Sequence, residues 1–431
     1  MIQGPSLLGL IPLAVFILTI VRGWNAVSSV AMATIVGAIL AGVGPVGIAT
    51  DLQESLGEFL SYIGLVILAG GGLGKIAERT GVSQNIVSFI VNRVGLNTPN
   101  RVILGTGISS AVMVALLGTL AGANAVVAPV VIPIMAAAGV SSAVGAVLFQ
   151  GFGATGLFLG PFTPPMVTFQ GLTGLSYLEV VLYAGLPISA VLWVTTFIYA
   201  KRILGPTMES DAYTAEDTDT DQQSVPRNVS APATVAFLLS LLGFIVYGIV
   251  VEGGSTFALF VILATVVVTG IAARLRPNEL AETFIEGARP LVWLFITFVL
   301  FTPFLVYMDQ MGGFQALGNL LQPLIDAGGR RLFVVVSTLI GVVGVPGASV
   351  AQSQLIDELF ASQVNALDVP MSLWVLVLLV GSQITNFLYP TGDTLGAMGL
   401  ARSSNIRNIV IFGIVASVPC VVYVILATFI Y

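Results

Sequence analysis

The residues with most to offer chemically stand at four interruptions of long apolar runs. Tyr389-Pro390-Thr391-Gly392-Asp393 and Gly160-Pro161-Phe162-Thr163-Pro164-Pro165 each combine proline with threonine, and the first ends on a carboxylate. Proline removes a backbone donor and clashes with the preceding turn, so a helix must unwind or kink at both places. Gly122-Ala123-Asn124 and Pro346-Gly347-Ala348-Ser349, with Gln352 close behind, break two further runs with small and polar residues. Amides, hydroxyls and the N–H groups of a broken helix suit an anion, whereas a lone carboxylate suits a cation or a proton. An ionisable side chain at membrane depth costs at least about 2.5 kcal/mol and is functional by default, which singles out Asp393. Other chemistry is excluded. There is no histidine and Cys420 is the only thiol, so histidine ligands, triads and proton relays, cysteine metal clusters and a disulfide framework are all absent. Neither a metal constellation nor a nucleophile with a base is visible, so an enzyme is not expected.

The elements that must position these residues are membrane helices. Of 431 residues, 56% are apolar and 8% charged, with a mean hydropathy of +1.02; soluble domains carry about 25% charged residues. A span takes about 20 apolar residues. Ten runs qualify, near Leu7 to Val21, Val27 to Ile48, Phe59 to Ala77, Ala143 to Leu159, Tyr177 to Ala200, Thr234 to Val250, Phe257 to Ala273, Leu291 to Met308, Leu373 to Leu388 and Asn408 to Ile430. The short alternating segments of a barrel are absent. Between the third and fourth crossing of each half lies an extra apolar pair, Val102 to Leu120 with Ala125 to Ala138, and Phe333 to Val345 with Val350 to Ser362. Both pairs read as re-entrant hairpins, because irregular backbone at depth is tolerated only where it lines a cavity. Amphipathic pieces at Ser83 to Val94 and Gly313 to Asp326 read as surface helices. Gly70-Gly71-Gly72-Leu73-Gly74-Lys75 lacks the loop context and the Ser or Thr of a phosphate loop, so close helix packing explains it.

From Gly205 to Pro232 the hydrophobicity collapses, and six of the 21 acidic residues, Glu209, Asp211, Glu216, Asp217, Asp219 and Asp221, alternate with Ser, Thr and Gln. This segment reads as a disordered linker between two repeats, residues 1–204 and 233–431. A shift of 228 superposes Glu54 and Glu58 on Glu282 and Glu286, Thr163 on Thr391, Ser176 on Ser404 and Gly185 on Gly413, and a shift of 225 superposes Gly122-Ala123 on Gly347-Ala348. Five crossings per half is odd, so the repeats are expected to be inverted. With the N-terminus outside, thirteen Lys and Arg residues fall on the cytoplasmic side and only Arg330 and Arg331 outside, as the positive-inside rule requires. Both termini are therefore expected outside a cell membrane, with linker 205–232 in the cytoplasm.

The order of a hairpin with a small-residue and Asn tip, an apolar run and a helix broken at Thr-Pro-Pro resembles the ion transporter superfamily, in particular divalent anion:sodium symporters and gluconate permeases. Ala123-Asn124-Ala125 with Pro133 is similar to the Ser-Asn-Thr tip and its proline nine residues after the Asn, and Thr163-Pro164-Pro165-Met166 to the Thr-Pro-Pro-Asn break. Both tip hydroxyls are replaced by alanine, the break Asn is Met166, and Asp393 stands where a proline is expected. The resemblance implies two inverted repeats of five helices plus a hairpin each, elevator motion of hairpins and broken helices against a dimerising scaffold, and sodium coupling through carbonyls at tip and break, here near Gly122, Ala123, Gly347 and Ala348.

The fold class expected is thus all-α integral membrane, with hairpins at about 101–138 and 332–362 and broken helices at about 143–170 and 372–398. The function expected is ion-coupled symport, with Na+ or H+, of a small organic anion such as a dicarboxylate, citrate or gluconate. Asn124, Thr163, Ser349, Gln352 and Thr391 are the candidates around the anion. Asp393, Thr155 and Asn386 are candidates for the coupling ion. Structural roles stand beside these: capping for Asn124 and Asp393, interhelical hydrogen bonding for Ser349 and Gln352, packing for Thr155, Gln383 and Asn386. Half-helix dipoles suit an anion in a chain without a deep arginine. Two alternatives are a Na+/H+ antiporter using Asp393 alone and the large membrane subunit of a binding-protein-dependent (TRAP-type) transporter. Membrane lipid and a second copy are the expected partners; nucleic acid and an organic cofactor are not expected.

Overall fold

The computed structural model describes residues 5–94, 98–214, 217, 230–251, 253, 256–344 and 349–431, and all regular elements among them are helices. The first half contains α1 (Ile11–Val21), α2 (Ala26–Ala41), α3 (Pro45–Ser55), α4 (Phe59–Arg79), α5 (Val82–Val94), α6 (Pro99–Leu117), α7 (Leu120–Ala137), α8 (Ser142–Leu159), α9 (Pro164–Thr173) and α10 (Tyr177–Thr207). The second contains α11 (Ala231–Val250), α12 (Phe257–Ala272), α13 (Pro277–Ala288), α14 (Val292–Gln310), α15 (Gly313–Val342), α16 (Ser349–Ala366), α17 (Met371–Leu388), α18 (Gly392–Leu400) and α19 (Ile406–Ala427). Nine described helices are long and apolar enough to cross a membrane, two of them being the hairpin pair α6 and α7. The other seven, with the shorter apolar helices at Leu7–Ile20, Ala26–Ala41 and Phe257–Ala272, overlap the ten expected crossings, but the second, expected over Val27 to Ile48, ends at Ala41, because Gly42 turns left-handed and Pro45 opens α3.

Local sequence sets the interruptions. Pro164 and Pro165 open α9, where a missing N–H costs nothing, and Thr163 before them is extended. Gly392 opens α18 behind an extended Thr391. The turn of the first hairpin is at Gly118-Thr119, with Gly118 at φ +72° and Thr119 extended, so α7 begins at Leu120. This corrects the expected tip: Gly122, Ala123 and Asn124 are helical, and the N–H of Ala123 already donates to Thr119 O at 3.2 Å. The left-handed backbone favours glycine at 118, and the turn forms there rather than at the Asn. Gly347 and Ala348 lie outside the described residues. The second expected surface helix is separate from the hairpin: α15 is two helices that meet at Gly329, whose backbone (φ +58°) is not helical.

The helices gather into two bodies. In the first, α4 packs on α12, α13 and α14, α14 on α2, and α11 on α12. In the second, α8 packs on α6, α10 and α18, α17 on α15 and α16, and α19 on α10 and α17. α5 touches both bodies, which also meet where α4 faces α6, α7 and α9, where α14 faces α15 and α16 and where residues 7–10 face α15. The glycine run of α4 is a packing surface of the first body. A Cβ on Gly71 would stand 2.6 Å from Gly287 O, and one on Gly72 would collide with the Phe284 ring. Lys75 seals the same contact, 3.3 Å from both Glu78 and Glu286.

The shift of 228 recurs in three dimensions. Asn124 accepts from Ser110 Oγ at 2.5 Å and donates to Phe149 O at 3.2 Å, tying α7 to α6 and α8. Gln352, 228 residues on, donates from Nε2 to Gly341 O, Gly381 O and Thr385 Oγ1, tying α16 to α15 and α17. Gly185 and Gly413, also 228 apart, each let the last helix of a half close on a carbonyl, of Phe158 and Phe387 respectively. The hairpins are therefore pinned alike in both halves, without the separate shift of 225.

Between the halves, α10 continues past Gly205 to Thr207, whose hydroxyl bonds Ile203 O and Ser141 Oγ at 2.7 Å each. The next residues are also held, so the expected linker begins later than its composition indicates. The carbonyl of Asp211 accepts from Ser142 N at 2.9 Å, and its carboxylate from Asn405 Nδ2 at 3.1 Å. Asp217 pairs with Arg402 at 3.3 Å. Burial pushes the Asp217 carboxyl up, but hydrogen bonds from Thr214 and the Arg402 guanidinium outweigh it and hold the carboxyl below the usual carboxylate range. The pair thus persists at neutral pH and is lost as pH falls below that range.

Replacing Gln352 by Met keeps the volume and removes the amide from two buried carbonyls. A loss of about 1 to 3 kcal/mol is expected, read as a lower Tm of the purified protein in detergent; an unchanged Tm would show that the amide does not hold the hairpin.

Candidate functional site

Both hairpins and both broken helices converge on one cavity of about 460 Å³. Gly118, Thr119, Leu120 and Ala121 line it from the first hairpin, and Leu157, Pro164 and Pro165 from the first break. Ser349, Val350 and Ala351 enter from α16, and Gln383, Thr391, Gly392 and Asp393 from the second break. The opposite wall belongs to the first body: Ala26, Ile67, Leu291, Trp293, Leu294, Thr297 and Phe298.

Four helices, α7, α9, α16 and α18, begin at this cavity. The first N–H groups of a helix have no intrahelical acceptor and carry its positive dipole end. Residues 120–122 and 392–394 supply such donors, α16 opens at Ser349 among the described residues, and Pro164 and Pro165 supply none. The lining contains no Lys or Arg, and its one ionisable side chain is Asp393, in the first turn of α18. Such an arrangement can receive an anion on backbone N–H groups, with the Asp393 carboxylate in the same lining. Among the described residues no group of three or more acidic or cysteine side chains could hold a metal ion.

Of the residues expected from sequence, the fold brings Ser349, Thr391 and Asp393 to the cavity lining. Asn124 and Gln352 are buried, outside the lining, and make the hairpin bonds described above, the Gln352 amide through its nitrogen. Thr163 is buried one residue behind the lining and donates to Leu157 O at 2.6 Å and Gly160 O at 3.0 Å, closing the break on itself. The matching closure in the second half comes from Thr394, which donates to Asn386 O at 3.0 Å and Tyr389 O at 3.4 Å. Thr391 lies 3.4 Å from the Thr394 hydroxyl. Thr155 donates to Phe152 O and accepts from Trp193 Nε1 at 2.8 Å, a packing role. Asn386 is buried beside the break and outside the lining. The carbonyls of Gly122 and Ala123 point along α7, away from its N-terminus, since a helix start exposes N–H groups and not oxygens.

Sequence reading passed over Thr119, Trp293 and Thr297 and placed Gln383 in packing. Gly118-Thr119 was legible as a helix stop followed by a start, but apolar neighbours on both sides hide it. Nothing local marks Trp293, which reaches the cavity only through the packing of α14 against the other body.

Sequence comparison with the curated proteins gives no match. Among solved structures, the chain is similar to the transporter YdaH of Alcanivorax borkumensis, described as having an unusual topology, with a TM-score of 0.54 and 15% identity over 89% of each chain. At that identity the likeness shows a shared fold. Residues 9–431 match the C4-dicarboxylate anaerobic carriers, DcuC, nearly end to end, and this chain of membrane-spanning helices belongs to that family.

Proposed function

We propose that this chain is a proton-coupled secondary transporter of a C4-dicarboxylate, working as an elevator. The observation that carries the reading is the convergence of four helix N-termini and one carboxylate on a single cavity between two bodies. Each N-terminus acts as roughly half a positive charge, enough in sum to receive a dianion without arginine. The second body, with both hairpins and both breaks, is the moving part; the first, with the α4–α13 glycine contact, is the scaffold. Inverted repeats suit such motion, because exchanging the conformations of the two halves turns an outward-facing cavity inward.

Asp393 is the coupling residue in this reading. A dianion beside it is repelled unless a proton comes too, so substrate and proton travel together. Sodium is the weaker candidate. Carbonyls at both breaks already accept from Thr163 and Thr394, and the oxygens near Gly122 and Ala123 belong to the α7 ladder. A Na+/H+ antiporter would leave the anion-attracting termini without a task, and family membership favours a carrier over the TRAP-type reading.

In the cell membrane both termini are placed outside and the acidic segment after α10 in the cytoplasm, on the distribution of Lys and Arg. The outer faces of α11, with Val235, Leu239, Leu242 and Val246 exposed, suit lipid and a second copy in a homodimer.

In proteoliposomes, wild-type protein is expected to accumulate labelled succinate when the pH gradient is imposed. Asp393→Asn should abolish that accumulation while still exchanging succinate across the membrane. Gradient-driven accumulation by the variant at the wild-type level would remove Asp393 from coupling. Sidedness has its own check: with Cys420 replaced by Ala, Ser210→Cys, exposed after α10, should react with an impermeant maleimide only in permeabilised cells. Labelling of intact cells would reverse the orientation.

A further inference from the structure

The short helices that follow the two breaks, α9 and α18, stop in left-handed turns at positions 228 apart, Gly174 (φ +69°) and Arg402 (φ +57°). Glycine adopts that backbone freely, whereas a Cβ makes it unfavourable. Arg402 is one of three non-glycine residues with positive φ among those described, and a strained residue of this kind points to a task for its side chain. The Arg402 guanidinium pairs with Asp217 at 3.3 Å, both side chains being a quarter exposed. Three residues on, Asn405 donates to the Asp211 carboxylate at 3.1 Å. Both aspartates follow α10 and are themselves anchored. Ser142, at the start of α8, donates to Asp211 O from its N at 2.9 Å and its hydroxyl at 3.1 Å, and Thr214 donates to the Asp217 carboxylate from its N at 2.7 Å and its hydroxyl at 2.8 Å. A Cβ on Gly145 of α8 would stand 2.8 Å from the Tyr213 hydroxyl and 3.3 Å from Ala401 Cβ, so this segment, α8 and the end of α18 meet in one place. The turn after α9 is closed locally instead, by the capping box of Ser176 and Glu179, and a Cβ on Gly174 would meet nothing within 4 Å.

We infer that Asp211 and Asp217 form an ionic strap that positions α18, and through it Thr391, Gly392 and Asp393 at the cavity. The inference rests on the carrier reading above and deepens it, by naming residues that act on the site from outside it. α18 has nine residues, a length of about 14 Å. It is separated from α17 by Tyr389-Pro390-Thr391, so no continuous hydrogen-bonded helix stands behind its first turn. Its aim is therefore set by its packing on α7 and α8 and by whatever holds its far end. Arg402 and Asn405 are at that far end, and the strap ties them to α8 and α10 of the other half. Loosening the strap lets α18 tilt, which turns the N–H groups of residues 392–394 and the Asp393 carboxylate together. The equivalent helix of the first half, α9, begins with two prolines and brings no such donors to the cavity, so the half that is strapped is the half whose aim matters.

The test is succinate exchange in proteoliposomes of the full-length protein. Asp217→Asn and Arg402→Gln should each raise the succinate concentration for half-maximal exchange by about two- to fivefold, with a smaller change in maximal rate. Asn at 217 still accepts from Thr214, so that variant removes the ion pair and little else. The double variant should be no worse than the worse single one, because both substitutions remove the same contact. A second readout needs no transport. Ser403, 9% exposed in the same turn, is replaced by Cys in a Cys420→Ala background, and maleimide should label it faster when Asp217→Asn is added. An unchanged half-maximal concentration in both single variants, additive losses in the double one, or equal labelling with and without Asp217→Asn would overturn the strap and leave the carrier intact. No succinate transport by the wild type under any gradient or exchange condition would overturn the carrier reading, and the positioning role with it, whichever way the labelling falls.

Discussion

Everything in this fold answers to the backbone. In hydrocarbon each N–H and C=O must find a partner inside the protein, so a membrane helix can stop short only where something polar replaces the lost turn. The chain stops four helices short and turns their beginnings to one place. The helix starts present backbone donors and positive dipole ends there, beside the Asp393 carboxylate and the hydroxyls of Thr119, Ser349 and Thr391. The carbonyls left over on the other side of each break are closed by threonine, Thr163 in one half and Thr394 in the other. Among the described residues the lining holds no basic side chain, so the positive charge it offers comes from the helix starts.

The two halves share their fastenings and differ in their chemistry. Asn124 and Gln352 occupy equivalent positions and fix each hairpin against its broken helix, and Gly185 and Gly413 make equivalent close approaches. At the breaks the equivalence ends. Two prolines begin α9 and withhold their N–H groups, while Gly392 and Asp393 begin α18 with donors and a carboxylate. Two paired positions, 164 with 392 and 165 with 393, carry this difference in donors and the one carboxylate.

How much of this could be read in advance depends on whether the signal is local. The breaks at Pro164 and Pro390 are set by proline, and helices end and begin there as expected, whereas the first hairpin turns at Gly118-Thr119 and the second tip lies outside the described residues. Ser349, Thr391 and Asp393 were legible because each directly adjoins a helix start. Asn124, Thr163 and Gln352 looked equally suitable but turn away from the cavity, since sequence gives depth along a helix and not direction around it. The Gly118-Thr119 turn escaped notice because its neighbours are leucines on both sides and the more polar Asn lies five residues on. The glycines of α4 were readable as packing surface, yet their partner Gly287 was not.

Composition and periodicity alone determined the membrane environment and the helical class, for these follow from the free energy of moving whole apolar segments into lipid. Which side chains share the cavity, which amides are spent on fastening, and that Trp293 faces the site across a body boundary were decided by tertiary packing. Those facts depend on the rotation of each helix about its axis and on contacts between segments hundreds of residues apart, and no single stretch of sequence contains either.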